Sequence, residues 1–338
     1  MSEERRKLIL AQESEEDQVV SLSLRPTHLT EFIGQPDLIE NLKVAIQAAR
    51  QREEPLEHVL FSGPPGLGKT TLAYIVSHEM GSRITVTSGP AISRAGDLIG
   101  ILTNLEKGDV FFIDEIHRLS KTVEEFLYPA MENFQIDFIV DKGPYARTIK
   151  FNLKPFTLIG ATTRSGLLAS PMRDRFGLFH HLDFYEPEQL SQILKNSAKK
   201  LNLKIDDQAS QEIARRSRGT PRIANRLLRR VRDYAQVKTS DTKLVQETVY
   251  KAMEALGIDD MGLNDTDRKL IKTLHKHYRG GPVGVDTLAA TLNEEFDTII
   301  DVVEPFLLKI GFLKRTTRGR QLTQTAYEHL RGSAFLAK

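Results

Sequence analysis

The chain has 338 residues, more than one core usually organises, so two or three domains are expected. Hydrophobic residues make up 40% and charged residues 27%, the balance of a folded globular chain, which excludes extensive disorder. Cysteine is absent, which excludes disulfides, thiolate metal sites and a cysteine nucleophile. With no run near the ~18–20 apolar residues of a membrane span and no secretory segment, the cytoplasm is the expected compartment. A formal charge of +2 conceals asymmetry: residues 3 to 17 are acidic, whereas from Pro305 onward seven Lys/Arg stand against Glu328 alone. That end is suited to an anion.

Residues 1–20 read as an acidic mobile tail, with order expected from Ser21-Leu22-Ser23-Leu24-Arg25-Pro26. Leu38, Leu42, Ala45, Ile46 and Ala49 recur at helical spacing. Short apolar runs at His58–Ser62, Ile84–Thr87, Val110–Ile113, Phe156–Ala161 and Leu178–Phe184 then alternate with helical patterns, which predicts an α/β domain with a parallel sheet between helices, spanning 21–185. Gln135–Val140 and Arg147–Asn152 flank Asp141-Lys142-Gly143-Pro144 and read as a β-hairpin inserted before the strand at Phe156. From 186 to 257 only helices are predicted, at Pro187–Leu201, Asp207–Arg218, Pro221–Lys238 and Asp241–Ala255. After a linker at 257–264, helices near Asp265–Tyr278, Val285–Leu292 and Thr298–Ile310 precede a basic hairpin, Phe312–Arg315 with Arg320–Thr323. That order, over 258–338, is the order of a winged helix.

Gly63-Pro64-Pro65-Gly66-Leu67-Gly68-Lys69-Thr70 matches G-x-x-x-x-G-K-[ST] between a predicted strand and a predicted helix, the context a phosphate-binding loop requires. Its glycines let backbone N–H groups point inward at phosphate oxygens, and the helix beginning near Lys69 adds its positive end. Lys69 is then the partner of the β- and γ-phosphates of ATP, and Thr70 a ligand of Mg²⁺. Val110-Phe111-Phe112-Ile113-Asp114-Glu115 delivers two carboxylates to a strand end, Asp114 for the magnesium shell and Glu115 to polarise the attacking water. Alone, such a run more often marks a strand ending in a helix cap; beside the loop it points to hydrolysis. Thr162, ending the strand from Phe156, is the candidate for placing the water, with an ordinary strand-end cap as the bland alternative. Arg173 and Arg175, two apart in Ser170-Pro171-Met172-Arg173-Asp174-Arg175-Phe176, are candidates for a cation reaching a neighbouring subunit's nucleotide, against simple ion pairing with Asp174.

With these motifs in order, the chain resembles the AAA+ ATPases, and among them the bacterial motors of Holliday junction branch migration. The resemblance runs from Leu24-Arg25-Pro26 through Glu31-Phe32-Ile33-Gly34-Gln35, Gly63–Thr71, Phe112–Leu119, Gly143–Arg147, Phe156–Arg164 and Arg173–Gly177 to Gly219–Asp233, and ends in the winged helix. It implies an AAA+ parallel-sheet ATPase domain with an inserted hairpin, an all-α lid domain and a DNA-binding winged helix. It implies nucleotide contacts from Leu24, Arg25, Gly66, Lys69, Thr70, Thr71, Tyr185 and Arg222, the last a sensor of the γ-phosphate, with further contacts from Glu132, Asn133 and Phe134. Arg175 aligns with the family's trans-acting finger, with Arg173 its nearest competitor. The hairpin near 135–152, with apolar Ile136, Phe138, Ile139 and Val140, would dock the junction-binding protein RuvA, unless those residues simply pack on their own domain. RuvC, a hexameric ring of identical subunits and Holliday junction duplex DNA complete the implied partners, and no membrane is involved. Arg315 and Arg320, at the wing, match the family's DNA-contacting arginines; with no aromatic platform among them, contact with duplex phosphates is expected.

Overall fold

The computed structural model describes residues 22–140, 147–238 and 243–332. The acidic tail, the start of order at Ser21 and the hairpin turn Asp141–Pro144 lie outside them. By internal contacts the chain forms two units. One holds Arg25–Gly63 and Leu67–Asp183; the other holds Leu24, the loop tip Pro64–Gly66 and the chain from Phe184 onward.

In the first unit, α1 (Pro36–Gln51) starts with proline at its first position, where a missing N–H costs nothing, and buries Leu38, Leu42, Ile46 and Ala49 along one stripe. Five parallel strands follow: β1 (Val59–Ser62), β2 (Ile84–Ser88), β3 (Val110–Asp114), β6 (Thr157–Thr162) and β7 (Leu178–His181), in the spatial order β2-β3-β6-β1-β7. The three central strands are almost wholly buried, as their unbroken apolar runs require when helices cover both faces. Helices α2 (Lys69–Met80), α3 (Ala95–Leu102), α4 (Lys121–Asn133) and α5 (Ser170–Arg173) connect them. Strand β7 stops at His181 rather than Phe184 because β1 offers it only four partners, Val59 to Ser62, before the chain turns at Gly63.

The inserted hairpin forms as an antiparallel pair, β4 (Gln135–Val140) with β5 (Arg147–Asn152), separate from the main sheet. Ile136 is fully buried in the core beside Leu127, Met131 and Phe156, so this residue packs on its own domain rather than offering a docking surface. Phe151, on the opposite strand, is exposed.

The second unit contains α6 (Pro187–Lys200), α7 (Asp207–Arg215), α8 (Pro221–Lys238) and α9 (Gln246–Leu256). Helix α6 opens on a capping box between Glu186 and Gln189, and Asp206 caps α7 by accepting from Ala209 N–H at 2.7 Å. Helix α9 begins five residues later than the sequence pattern suggests: β9 (Lys243–Leu244) instead pairs in parallel with β8 (Lys204–Ile205), and Asp241 lies outside the described residues.

The same unit continues with α10 (Asp265–Tyr278), α11 (Val285–Leu292), a helical turn α12 (Phe296–Thr298), a π-helical segment Ile299–Val303 and α13 (Glu304–Lys309). The expected single helix over 298–310 is broken because Pro305 has no N–H to continue the α ladder. Strands β10 (Leu313–Thr316) and β11 (Gly319–Leu322) form the wing, and Val283 bonds Arg320 in both directions at its edge, N–H to O at 2.9 and 2.7 Å. A last helix, α14 (Gln324–Gly332), closes the core through Ala326 and Leu330. Among the described residues no helix is long and apolar enough to cross a membrane.

Candidate nucleotide site and basic wing

The phosphate loop is shaped by positions where no side chain fits. At Gly63, with φ +134°, a Cβ would stand 2.4 Å from the Leu182 carbonyl oxygen, so the chain can leave β1 this way only without one. Gly68, also left-handed, caps α2, whose N-terminal N–H groups and dipole face the loop. Lys69 in the first turn is buried, and its ammonium donates to Gly63 O at 2.8 Å, holding the charge within the loop. Thr70 and Thr71 follow, half-buried.

Strand β3 brings Asp114 beside this helix, with Thr70 Oγ1 3.4 Å from Asp114 Oδ2. A hydroxyl and a carboxylate oxygen facing one another are the donors a small hard cation prefers, so the pair fits Mg²⁺ carried by a nucleotide. One residue further, Glu115 takes a left-handed backbone, φ 48° and ψ 45°, rare for a side chain of this size. The turn turns the carboxylate back to the sheet edge, where Glu115 Oε2 accepts from Thr163 Oγ1 at 3.3 Å. Neighbouring β6 delivers Thr162, fully buried, whose hydroxyl oxygen accepts from Arg164 N–H at 3.0 Å. The sheet thus gathers Lys69, Thr70, Asp114, Glu115 and Thr162 at the C-terminal ends of β1, β3 and β6, the edge at which parallel α/β sheets take ligands. His117 joins them: its Nδ1 lies 2.9 Å from Thr162 Oγ1 and 3.2 Å from Glu115 Oε2. Sequence reasoning passed over this residue; the signal was a histidine two places beyond a carboxylate pair, which matters only once the backbone turns back there.

A second cluster lies on α4. Arg175 pairs with Glu132 at 2.8 Å, donates to Pro171 O at 2.5 Å and stacks 4.5 Å above the Tyr128 ring. Two residues expected to serve nucleotide, Glu132 and Arg175, are therefore mutual partners. Arg173 is exposed and donates to Ser170 Oγ at 3.1 Å. Asn133 is exposed, whereas the Phe134 ring meets Phe156 edge-on at 5.7 Å and packs on the core, its N–H donated to Pro129 O and its carbonyl accepting from Leu153 N–H at 2.7 Å. Arg25 stands 5.9 Å from the Tyr74 ring centroid, also in the first unit.

Within the second unit, Leu24 is buried and its carbonyl accepts from Lys200 Nζ at 3.5 Å. Tyr185 is buried and donates its N–H to Gly219 O at 2.9 Å. Arg222, exposed in the first turn of α8, donates its N–H to Gly66 O at 3.3 Å, which sets its side chain beside the loop tip.

On the wing, Arg315 and Arg320 are directly opposed across the hairpin, a pairing of like charges that needs a counter-ion. Glu304, completely buried at the start of α13, supplies it: Oε1 accepts from Arg315 Nε at 2.5 Å and Oε2 from Arg320 Nη2 at 3.1 Å. The Arg320 side chain is 19% exposed and that of Arg315 56%. Arg315, with Lys314 and Arg318, forms the exposed basic surface, while Arg320 is largely drawn into the domain.

The models of three protein families tile the chain: the Holliday junction DNA helicase RuvB P-loop domain matches 24–182, the RuvB AAA lid domain 185–259 and the RuvB C-terminal winged helix domain 260–331. The Holliday junction branch migration complex subunit RuvB of Ligilactobacillus salivarius is 58% identical over 91% of either chain. Its counterpart from Chloroflexus aurantiacus is 56% identical over 98% of this chain and 93% of that one. Among solved structures, the RuvB Holliday junction branch migration motor of Thermotoga maritima matches with a TM-score of 0.85 and 52% identity, covering 92% of this chain and 99% of the other.

Proposed function

Because the chain belongs to the RuvB family of Holliday junction branch-migration proteins, we propose that it is an ATP-driven motor that draws duplex DNA through a four-way junction during recombination and repair. The observation that carries this reading is the sheet-edge cluster, in which the loop lysine, a hydroxyl–carboxylate pair and a second carboxylate beside a buried threonine stand together. In it Lys69 exchanges its bond to Gly63 O for phosphate oxygens, and loop N–H groups cradle the remaining charge. Thr70 and Asp114 would hold Mg²⁺, which would supply neutralisation of phosphate charge. Glu115 accepts the proton of the attacking water, and Thr162 fixes that water and the γ-phosphate. A nucleotide-operated switch without turnover has no use for Glu115, and that residue decides between the two readings.

The remaining assignments follow family membership. Arg175, released from Glu132, completes the nucleotide site of the next subunit in a hexameric ring, and Glu132, Asn133 and Phe134 are the proposed additional nucleotide contacts. Leu24, Arg25 and Tyr185 surround the base, and Arg222 reports the γ-phosphate to the lid helices. The proposed division is an ATPase domain over 21–185, a lid over 186–257 and a DNA-binding winged helix over 258–338, preceded by an acidic tail. The hairpin docks RuvA, RuvC joins the assembly, and the wing grips duplex phosphates in the cytoplasm.

Steady-state hydrolysis, measured beside equilibrium binding of a fluorescent ATP analogue, tests the site. Glu115→Gln should bind the analogue and lose about 10²–10⁴-fold in turnover. Arg175→Ala should likewise bind and lose about 10³–10⁵-fold. Lys69→Ala should lose both. Wild-type turnover by Glu115→Gln would remove hydrolysis from this site, and wild-type turnover by Arg175→Ala would remove the trans-acting finger.

A further inference from the structure

His117 is placed by a sequence of local constraints. Strand β3 ends at Asp114, Glu115 turns left-handed, and Ile116–Arg118 form one turn of 3-10 helix, closed by Arg118 N–H to Glu115 O at 2.9 Å. The turn is pinned from below. Ile116 is fully buried, and Gly89 lies so close that a Cβ there would meet Glu115 O at 2.5 Å. Two residues past the carboxylate, the chain has therefore doubled back, and the imidazole stands between β3 and β6 with 6% of its side chain exposed. One ring atom, Nδ1, is within reach of both groups that the hydrolysis needs, Thr162 Oγ1 at 2.9 Å and Glu115 Oε2 at 3.2 Å.

We propose that His117 is a positioning residue that couples the water-placing threonine to the water-activating carboxylate through Nδ1; this rests on the roles of Glu115 and Thr162 given above. The chemistry of the donors sets how it works. Thr162 Oγ1 already accepts from Arg164 N–H, so its single proton has two destinations, the imidazole or a phosphate oxygen. A carboxylate only accepts, so Glu115 is best served when Nδ1 carries the N–H and donates. In that tautomer the ring gives its proton to Glu115 and to the threonine oxygen, and the threonine hydroxyl turns its own proton outward to the γ-phosphate. Thr163 holds the same carboxylate oxygen from the other side. Threonine and base thus adopt their working orientations together. Without Nδ1, each would keep its place in the fold but lose the link to the other.

A buried histidine that merely fills space would be replaced without loss by a ring of the same size. His117→Phe removes Nδ1 and keeps the volume, and His117→Asn returns an amide N–H near the Nδ1 position. The expected result is a kcat lower by about 10–100-fold for His117→Phe, with binding of the ATP analogue and the melting temperature near wild type. His117→Asn should regain most of the lost kcat. Should the phenylalanine variant fail to fold, His117→Gln serves, because its amide falls near Nε2 instead, and it should stay impaired while His117→Asn recovers. Turnover by His117→Phe within about two-fold of wild type would overturn the proposal, as would equal impairment of the asparagine and glutamine variants. Glu115→Gln measured alongside keeps the two failures apart: if it hydrolyses ATP normally, the base is misassigned and the coupling falls with it, whereas if only His117→Phe is active, the coupling alone is wrong.

Discussion

Asp267 is fully buried at the head of α10, where Oδ2 accepts from Arg218 Nη1 at 3.1 Å and from Asn264 N–H at 2.9 Å while Oδ1 has no hydrogen-bond partner. Burial pushes its carboxyl up to about 6, against the pull of Arg218 and the Asn264 N–H. Arg218 also donates to Val302 O at 2.8 Å and lies 4.4 Å from the Phe306 ring, so one ion pair holds the end of the α7 segment to the π-helical turn and α13. A carboxyl whose value is raised by folding stabilises the fold below its ordinary range near 3.8 and loses that contribution as pH rises through about 6. The difference in melting temperature between wild type and Asp267→Asn, which cannot ionise, should accordingly shift against the wild type between about pH 4 and 6.5 and then level. A constant difference across that window would mean that the carboxylate is ionised in the fold throughout.

At the scale of elements, the wing separates two arginines that look alike in sequence. Both bond buried Glu304, Arg315 through Nε alone on a largely exposed side chain and Arg320 through Nε and Nη2 on a mostly buried one. Arg315→Ala should weaken duplex binding and lower the slope of log affinity against log salt by about 1, with a smaller loss of melting temperature than Arg320→Ala because Glu304 keeps both bonds from Arg320. Arg320→Ala should leave the slope nearly unchanged and cost about 1–3 kcal/mol of stability, because Glu304 loses a partner inside the domain. Salt titrations of a labelled duplex together with thermal melts read both; equal slope changes for the two variants would contradict the division. Strands β1, β3 and β6 and helices α1, α6, α8, α10 and α11 were legible from periodicity because burial on one stripe or on both faces dictates residue type. The β8–β9 pair was not, since two residues carry no period, and the π-helical break was hidden in an apolar run whose only mark is Pro305. The loop lysine and the Asp114–Glu115 pair were legible because their chemistry is tied to fixed spacing along one element. The engagement of Arg175 with Glu132, the burial of Ile136 and the place of His117 depend on contacts between distant segments, or on one left-handed residue, which no pattern along the chain encodes.

For the whole molecule, hydrolysis and assembly are one question. The sheet edge gathers the proposed base Glu115, a loop lysine and a hydroxyl–carboxylate pair within one chain, while Arg175, the cation proposed to spread charge in the transition state, is bound to Glu132 on α4. In the proposed ring each subunit lends that arginine to its neighbour, and the lid carries the nucleotide's state to a wing that holds DNA. The most direct test is a synthetic four-way junction with one labelled strand, incubated with the purified chain, RuvA, ATP and Mg²⁺. The account predicts time-dependent separation into two duplexes, one of them carrying the label, and none with Lys69→Ala or with ADP. Separation at the same rate with Lys69→Ala would contradict it, as would an intact junction while the wild-type chain hydrolyses ATP.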